Sequence, residues 1–128
     1  MRALRTYDYA VVRVVPRVER GEFVNAGIIL SCDNERILLA GIELDETALL
    51  ALDAHVDLDL VRNVLAAIPA ICAGGEAAGD IGKMSPRERF HWLVAPRSTI
   101  VQTSPVHTGQ CTDWQAAMSH LMNTMVLR

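Results

Sequence analysis

The stretch Tyr7-Asp8-Tyr9-Ala10-Val11-Val12-Arg13-Val14-Val15-Pro16 has the chemistry of a β-strand covered on both sides. Valine and tyrosine fit a pleated, buried surface better than they fit a helix. Alternation puts Tyr7, Tyr9, Val11, Arg13 and Val15 on one face, and Asp8, Ala10, Val12 and Val14 on the other. Both faces are mainly apolar. A strand with water on one side would alternate apolar with polar, so this one is expected at the centre of a sheet with cover above and below. Pro16 has no N–H to give to a ladder and ends the strand.

Reading outward from it, Arg17 to Glu22 is a charged connection in which Gly21 can take a positive φ. Phe23 to Cys32 then reads as a second strand. Its Asn25-Ala26-Gly27 interruption marks a bulge or a close backbone approach. Asp33-Asn34 suits a tight turn because both side chains tolerate left-handed backbone. Arg36 to Leu44 is the return strand. Residues 7–44 therefore form a three-stranded antiparallel meander.

Helices follow. Asp45 is placed to cap a short helix through Leu52. A longer one starts at Asp57 or Asp59, where Leu60, Val61, Val64, Leu65, Ile68 and Cys72 recur at helical spacing. Pro69 is expected to kink or shorten it, and Ala73-Gly74-Gly75 to stop it before a flexible loop over 74–83. Ser85-Pro86-Arg87-Glu88 combines a capping serine, a proline at the first helical position and a glutamate that reaches back. Pro96 keeps that helix short. Thr99 to Thr103 is a strand expected in the same sheet. Thr112-Asp113-Trp114-Gln115 is a second capping box, and Trp114, Ala117, Met118, Leu121, Met122 and Met125 form the stripe of a terminal helix. The expected architecture is α+β: an antiparallel sheet of four to five strands opening with a three-stranded meander, packed by about three to four helices. No repeat or linker divides the chain, so residues 1–128 read as one domain.

Composition narrows the function classes. A chain that is 51% apolar and 21% charged can bury a core, which a disordered segment cannot. The net charge of −3 gives no electrostatic drive toward nucleic acid or an acidic membrane. No apolar run reaches the roughly 20 residues that span a bilayer, and the opening Met1 to Thr6 lacks a signal-peptide core. The three cysteines, Cys32, Cys72 and Cys111, include no C-x-x-C pair. Free thiols in a reducing bacterial-type cytoplasm are the simplest reading.

Polar chemistry concentrates between Phe90 and Gly109. Pro96-Arg97-Ser98-Thr99 sets a guanidinium beside two hydroxyls; Gln102, Thr103 and Ser104 follow, then His107 and Thr108. Arginine presents a planar fork of donors that matches carboxylate or phosphate, and hydroxyls with loop N–H groups complete an anion cradle. The bland alternative is that the hydroxyls and Gln102 satisfy a sheet edge and two turns, with Arg97 in water. If the strands lie side by side, Asn25, Arg97, Gln102 and His107 converge at one end of the sheet.

Other chemistries have less support. His107 and Cys111 lie four apart and His91 sixteen before His107, which matches no zinc pattern. His91, between Phe90 and Trp92, reads as a hydrogen-bonded packing residue. Ser98 or Ser104 with His107, or a Cys111–His107 dyad, names the right residue types for nucleophilic catalysis, but adjacency in sequence does not show geometry. Glu19, Glu22 and Glu43 read as solvated strand ends. No phosphate-binding glycine loop occurs. Arg13, Arg17, Arg20, Arg87, Arg89 and Arg97 are the residues from which a local basic patch would have to be built. No cofactor and no metal are expected.

Tyr7 to Pro16 followed by Glu22-Phe23-Val24-Asn25-Ala26-Gly27, and Phe90 to Thr99 with Gln102 to Gly109, resemble the two signatures of a small bacterial family of unknown function catalogued as domain of unknown function 3037. The resemblance spans nearly the whole chain. It implies a stand-alone protein associated with HipA-like kinases, as partner or regulator in the manner of a toxin–antitoxin pair, and it assigns no residue a role. The combined expectation is a non-enzymatic cytosolic binding or regulatory module that recognises a protein partner through residues 97–109. Its candidate residues are Asn25, Arg97, Ser98, Thr99, Gln102, Thr103, Ser104, His107 and Thr108. The alternative is a small enzyme or ligand-binding protein for an anionic or phosphorylated small molecule, with Arg97 as clamp, Ser98 as donor and His107 as acid or base.

Overall fold

In the computed structural model, which describes residues 3–127, the valine-rich stretch becomes β1 (Arg5–Val14), with strands on both sides. β2 (Val24–Cys32) pairs antiparallel with β1, and β3 (Ile37–Ile42) pairs antiparallel with β2. The meander is thus as its pattern predicts. Its turn differs in detail. Arg36, not Asp33 or Asn34, takes the left-handed conformation at φ 52°, where its N–H donates to Asp33 O at 3.1 Å. The Asn25-Ala26-Gly27 interruption is a bulge: Val12 faces Gly27, Arg13 faces Asn25, and Ala26 is the extra residue. Gly27 is required there, because a Cβ would meet the carbonyl oxygen of Gly41 on β3.

The other edge is one strand broken in two. β4 (Val101–Thr103) pairs with Val12–Val14, and β5 (His107–Cys111) pairs with Arg5–Tyr9, both antiparallel to β1. Ser104-Pro105-Val106 separates them. Ser104 repairs the break: its N–H donates to Val11 O at 2.8 Å, and its Oγ accepts from Val11 N at 2.9 Å. A side-chain oxygen replaces a ladder carbonyl, so the buried Val11 amide keeps a partner. β5, which the sequence pattern leaves as loop, is held at Gly109. Any Cβ there would run into the Tyr7 ring.

Helices cover both faces, as the two apolar faces of β1 require. On one face Val12, Val14, Val24, Ile29 and Val101 pack with α1 (Glu46–Leu52), α2 (Leu58–Ala73) and α3 (Pro86–Val94). On the other, Tyr7, Val11, Ile28, Leu30 and Cys32 pack with α4 (Trp114–Met125). The fold is α+β, a five-stranded antiparallel sheet between helices.

Several helix expectations need adjustment. Pro69 does not shorten α2, which continues to Ala73. Burial of Ile68, Ile71 and Cys72 holds the last turn, and the buried Arg89 on α3 closes it, its Nη1 donating to Ile71 O at 3.0 Å and Cys72 O at 3.3 Å. A cation at a helix C-terminus also meets the favourable end of the dipole. Residues 76–83 form 3-10 turns broken at Gly79 rather than an irregular loop. The cap of α4 is Asp113 rather than Thr112, its carboxylate accepting from Gln115 N at 3.0 Å. Trp114 is half-buried, edge-on to Tyr7 with ring centroids 6.4 Å apart. No single helix among the described residues is long and apolar enough to cross a membrane.

Candidate functional site

α3 ends where its sequence demands. Ser85 Oγ accepts from Glu88 N at 3.2 Å to start the helix, and Pro96 disfavours helical backbone at Ala95, which caps it in an extended conformation. Its last turn presents Trp92, 38% exposed. The chain then reverses toward β4, and Arg97 folds back over Trp92. The guanidinium lies 4.7 Å from the ring centroid, and Nη2 donates to Trp92 O at 2.5 Å. Two local contacts thus fix Arg97 in a surface loop. Among the described residues no carboxylate forms an ion pair with it.

Beside this pair is a cavity of about 120 Å³ between α2, α3 and β4. Val64, Ala67, Ile68 and Ile71 of α2 form one wall, Trp92 and Leu93 another, and Arg97, Thr99, Val101, Gln102 and Thr103 the third. The floor is apolar and the mouth carries a guanidinium. Its shape is kept by short polar ties. Thr99 Oγ1 donates to Val101 O at 2.8 Å, Gln102 Nε2 donates to Thr99 O at 2.8 Å, and Thr103 Oγ1 donates to Val94 O at 3.4 Å. These side chains order the rim instead of offering free hydroxyls.

The structure divides the residues singled out from sequence. Arg97, Thr99, Gln102 and Thr103 line the cavity, and Ser98 is exposed beside Arg97. Ser104 is buried and occupied in the strand break. His107 and Thr108 lie on β5. His107 pairs with Tyr9, so its side chain shares the α4 face, where the two rings are 5.6 Å apart. Arg97 and Trp92 belong to the α2–α3 face. The trio Arg97, Ser98 and His107 is therefore not brought together, because the sheet lies between its members. His107 and Cys111 form no dyad either: four residues along an extended strand span roughly 13 Å. Asn25 is also on the α4 side, donating from Nδ2 to Met125 O at 2.9 Å. It faces Arg13, which faces Gln102 across β1, so these three make one cross-strand row. Asn25 and Gln102 are thus separated by Arg13 and bonded to different segments, Met125 O and Thr99 O, while Arg97 and His107 lie on opposite faces.

The pattern alone passed over Trp92 and Ala67 as groove residues. Trp92 had a signal, an aromatic two residues after Phe90 and so on the opposite side of the helix from it. Ala67 had none. His91, expected to be hydrogen-bonded in packing, is exposed, with its ring 6.2 Å from Phe90. The arginines do not pool into a positive face. Arg17 pairs with Glu19, Arg20 with Glu22 and Arg87 with Asp8, at 3.4, 2.6 and 2.8 Å. Arg13 stacks on Phe23 and Arg89 is buried.

The thiols are free. Burial pushes Cys72 up to about 12, against a weaker opposing pull from Arg89. Burial also raises Cys111 above the ordinary thiol range. Neither is a ready nucleophile. Among the described residues, no group of three or more His, Cys, Asp or Glu is placed to hold a metal ion.

No curated protein and no solved structure matches the chain. A family model described as Protein of unknown function (DUF3037) matches residues 9–126, and the chain belongs to that family.

Proposed function

We propose that this protein is a binding module whose groove between α2, α3 and β4 receives an apolar side chain of a protein partner, with an acidic group of that partner on Arg97. The observation that carries the reading is the stacked Arg97–Trp92 pair at the mouth of an apolar cavity of about 120 Å³. An exposed tryptophan beside an arginine without a carboxylate is the composition of an interaction hot spot. The cavity is the size of one large side chain, close to the roughly 150 Å³ that accepts benzene in an engineered core. It is smaller than the roughly 300 Å³ at which drug-sized ligand pockets begin. A HipA-like kinase in the same cytoplasm is the partner class that the family resemblance brings forward.

The test is affinity capture from the host lysate with three proteins: wild type, Arg97→Ala, and Ala67→Phe, which fills the groove from α2. A stoichiometric partner held by wild type and lost from both variants supports the reading. A partner held equally by all three overturns it.

A small anionic ligand is the second reading, favoured by the unpaired donors of Arg97 and the neighbouring Ser98. In that case thermal shift with phosphorylated or carboxylated compounds responds in wild type and not in Ala67→Phe. His107 takes no part, since it lies across the sheet.

A further inference from the structure

The mouth of the groove has spent its acceptors and kept its donor. Four backbone carbonyls around it already accept from side chains of the same rim: Trp92 O from Arg97 Nη2, Val94 O from Thr103 Oγ1, Thr99 O from Gln102 Nε2, and Val101 O from Thr99 Oγ1. Arg97 uses only Nη2 in this way, and neither its Nε nor its Nη1 donates to a described residue. Its stack on Trp92 holds the guanidinium at the cavity wall. An occupant must therefore bring an apolar group for the floor and an acceptor for the guanidinium, and it finds little to donate to. A carboxylate accepts only. A peptide segment that runs through the site fits less well, because each of its residues brings an N–H that needs an acceptor once covered. A dianionic phosphate monoester draws on several donors, backbone N–H groups among them, and a single guanidinium lines this cavity.

We propose that the groove receives the C-terminal residue of the partner, with its apolar side chain in the cavity and its α-carboxylate on Arg97. This rests on the groove being the recognition site, and it names the part of the partner that enters. Arg97 is itself a wall of the cavity, so the acid and the apolar group must lie close together. Within one C-terminal residue the carboxylate carbon is about 2.5 Å from Cβ. An acidic side chain elsewhere on the partner starts farther off. The next residue on the same face is about 5 to 6 Å away in a helix and roughly 7 Å away in a strand. A chain end also covers one N–H rather than a row of them, and its preceding residue has the exposed Trp92 ring to lie on. A free carboxylic acid carries the same chemistry. A cavity of about 120 Å³, however, encloses little more than one side chain, so further affinity has to come from the surface around it, which a chain end reaches and a small acid does not.

The probes are short glycine–serine peptides ending in leucine, phenylalanine or alanine, each made as free acid and as amide. They are titrated into the isotope-labelled full chain and followed by NMR. The leucine and phenylalanine free acids are expected to shift the Trp92 indole and Arg97 Nε signals, and the alanine ending to bind weakest. Amidation and Arg97→Ala should each weaken binding by about tenfold or more. Ala67→Phe, checked for folding by circular dichroism, should abolish it; if that variant does not fold, amidation and Arg97→Ala decide. Amides that bind as tightly as free acids overturn the proposal. So do free-acid binding that survives Arg97→Ala, shifts that fall outside the groove, and no binding by any peptide. Isocaproate and hydrocinnamate are titrated alongside. If they bind and the peptides do not, the site is one for small acids and the proposal is overturned. The wider groove reading fails separately. It stands if capture from lysate is lost in both groove variants while amides bind as well as acids, and it falls if both variants leave capture untouched.

Discussion

The two edges of the sheet are built on opposite plans. The β4–β5 edge is polar, short in each half, and broken by Ser104-Pro105-Val106. Nothing can lengthen it by simple strand addition, because Pro105 has no N–H and the break changes the direction of the row. The β3 edge is apolar and unbroken. The lesson is one of division of labour. Breaking a strand costs ladder bonds, which Ser104 partly restores, and frees the adjoining loop to form a rigid groove with α2 and α3. Keeping a strand whole preserves a straight row of donors and acceptors.

The comparison is easiest to break inside β3. Leu39 turns its N–H into the sheet and Ala40 turns its N–H out. Leu39→Pro should cost about 3 kcal/mol or more, and Ala40→Pro about 1 kcal/mol or less. Urea denaturation of both is the check, and equal costs would show that β3 does not distinguish an inner from an outer side.

The broken edge gives the next largest effect. Ser104→Ala removes the hydroxyl that accepts from the Val11 amide and leaves that donor buried, at a cost of about 1 to 3 kcal/mol. Denaturation reads the loss, and faster exchange of the Val11 amide locates it. An unchanged stability would mean that the two half-strands hold to β1 without the serine.

The smallest effect is expected at Arg97. Its guanidinium stacks on an exposed ring and bonds one carbonyl, so Arg97→Ala should move stability by less than about 0.5 kcal/mol. A melting temperature lowered by several degrees would make Arg97 a structural brace and would weaken its assignment to recognition.

How much of this was legible in the residues depends on the range of the interaction involved. Asp45, Asp57 and Ser85 cap helices where their patterns place them, because a cap bonds an amide two or three residues away. Even the shift from Thr112 to Asp113 stays within one residue. Pro69 misled because its local cost is real but is outweighed by distant contacts, the buried Ile68 and Ile71 and the arginine from α3. The candidate site was legible only in part. Arg97, Thr99, Gln102 and Thr103 gather within a short span of chain at one rim. The other half of the groove comes from α2, some thirty residues earlier, and no periodicity announces it.

By itself, the sequence determined the central strand, the meander, the order of the elements and the helix starts. Each follows from alternation, helical spacing or a bond across a few residues. Only the tertiary structure decided which side of the sheet each polar residue occupies. That side depends on strand register, and register is set by pairing with β1 about ninety residues away. Ser104 and Pro105 split the last strand, and the pairing of His107 with Tyr9 then turned His107 toward α4 while Arg97 stayed with Trp92 on the other face.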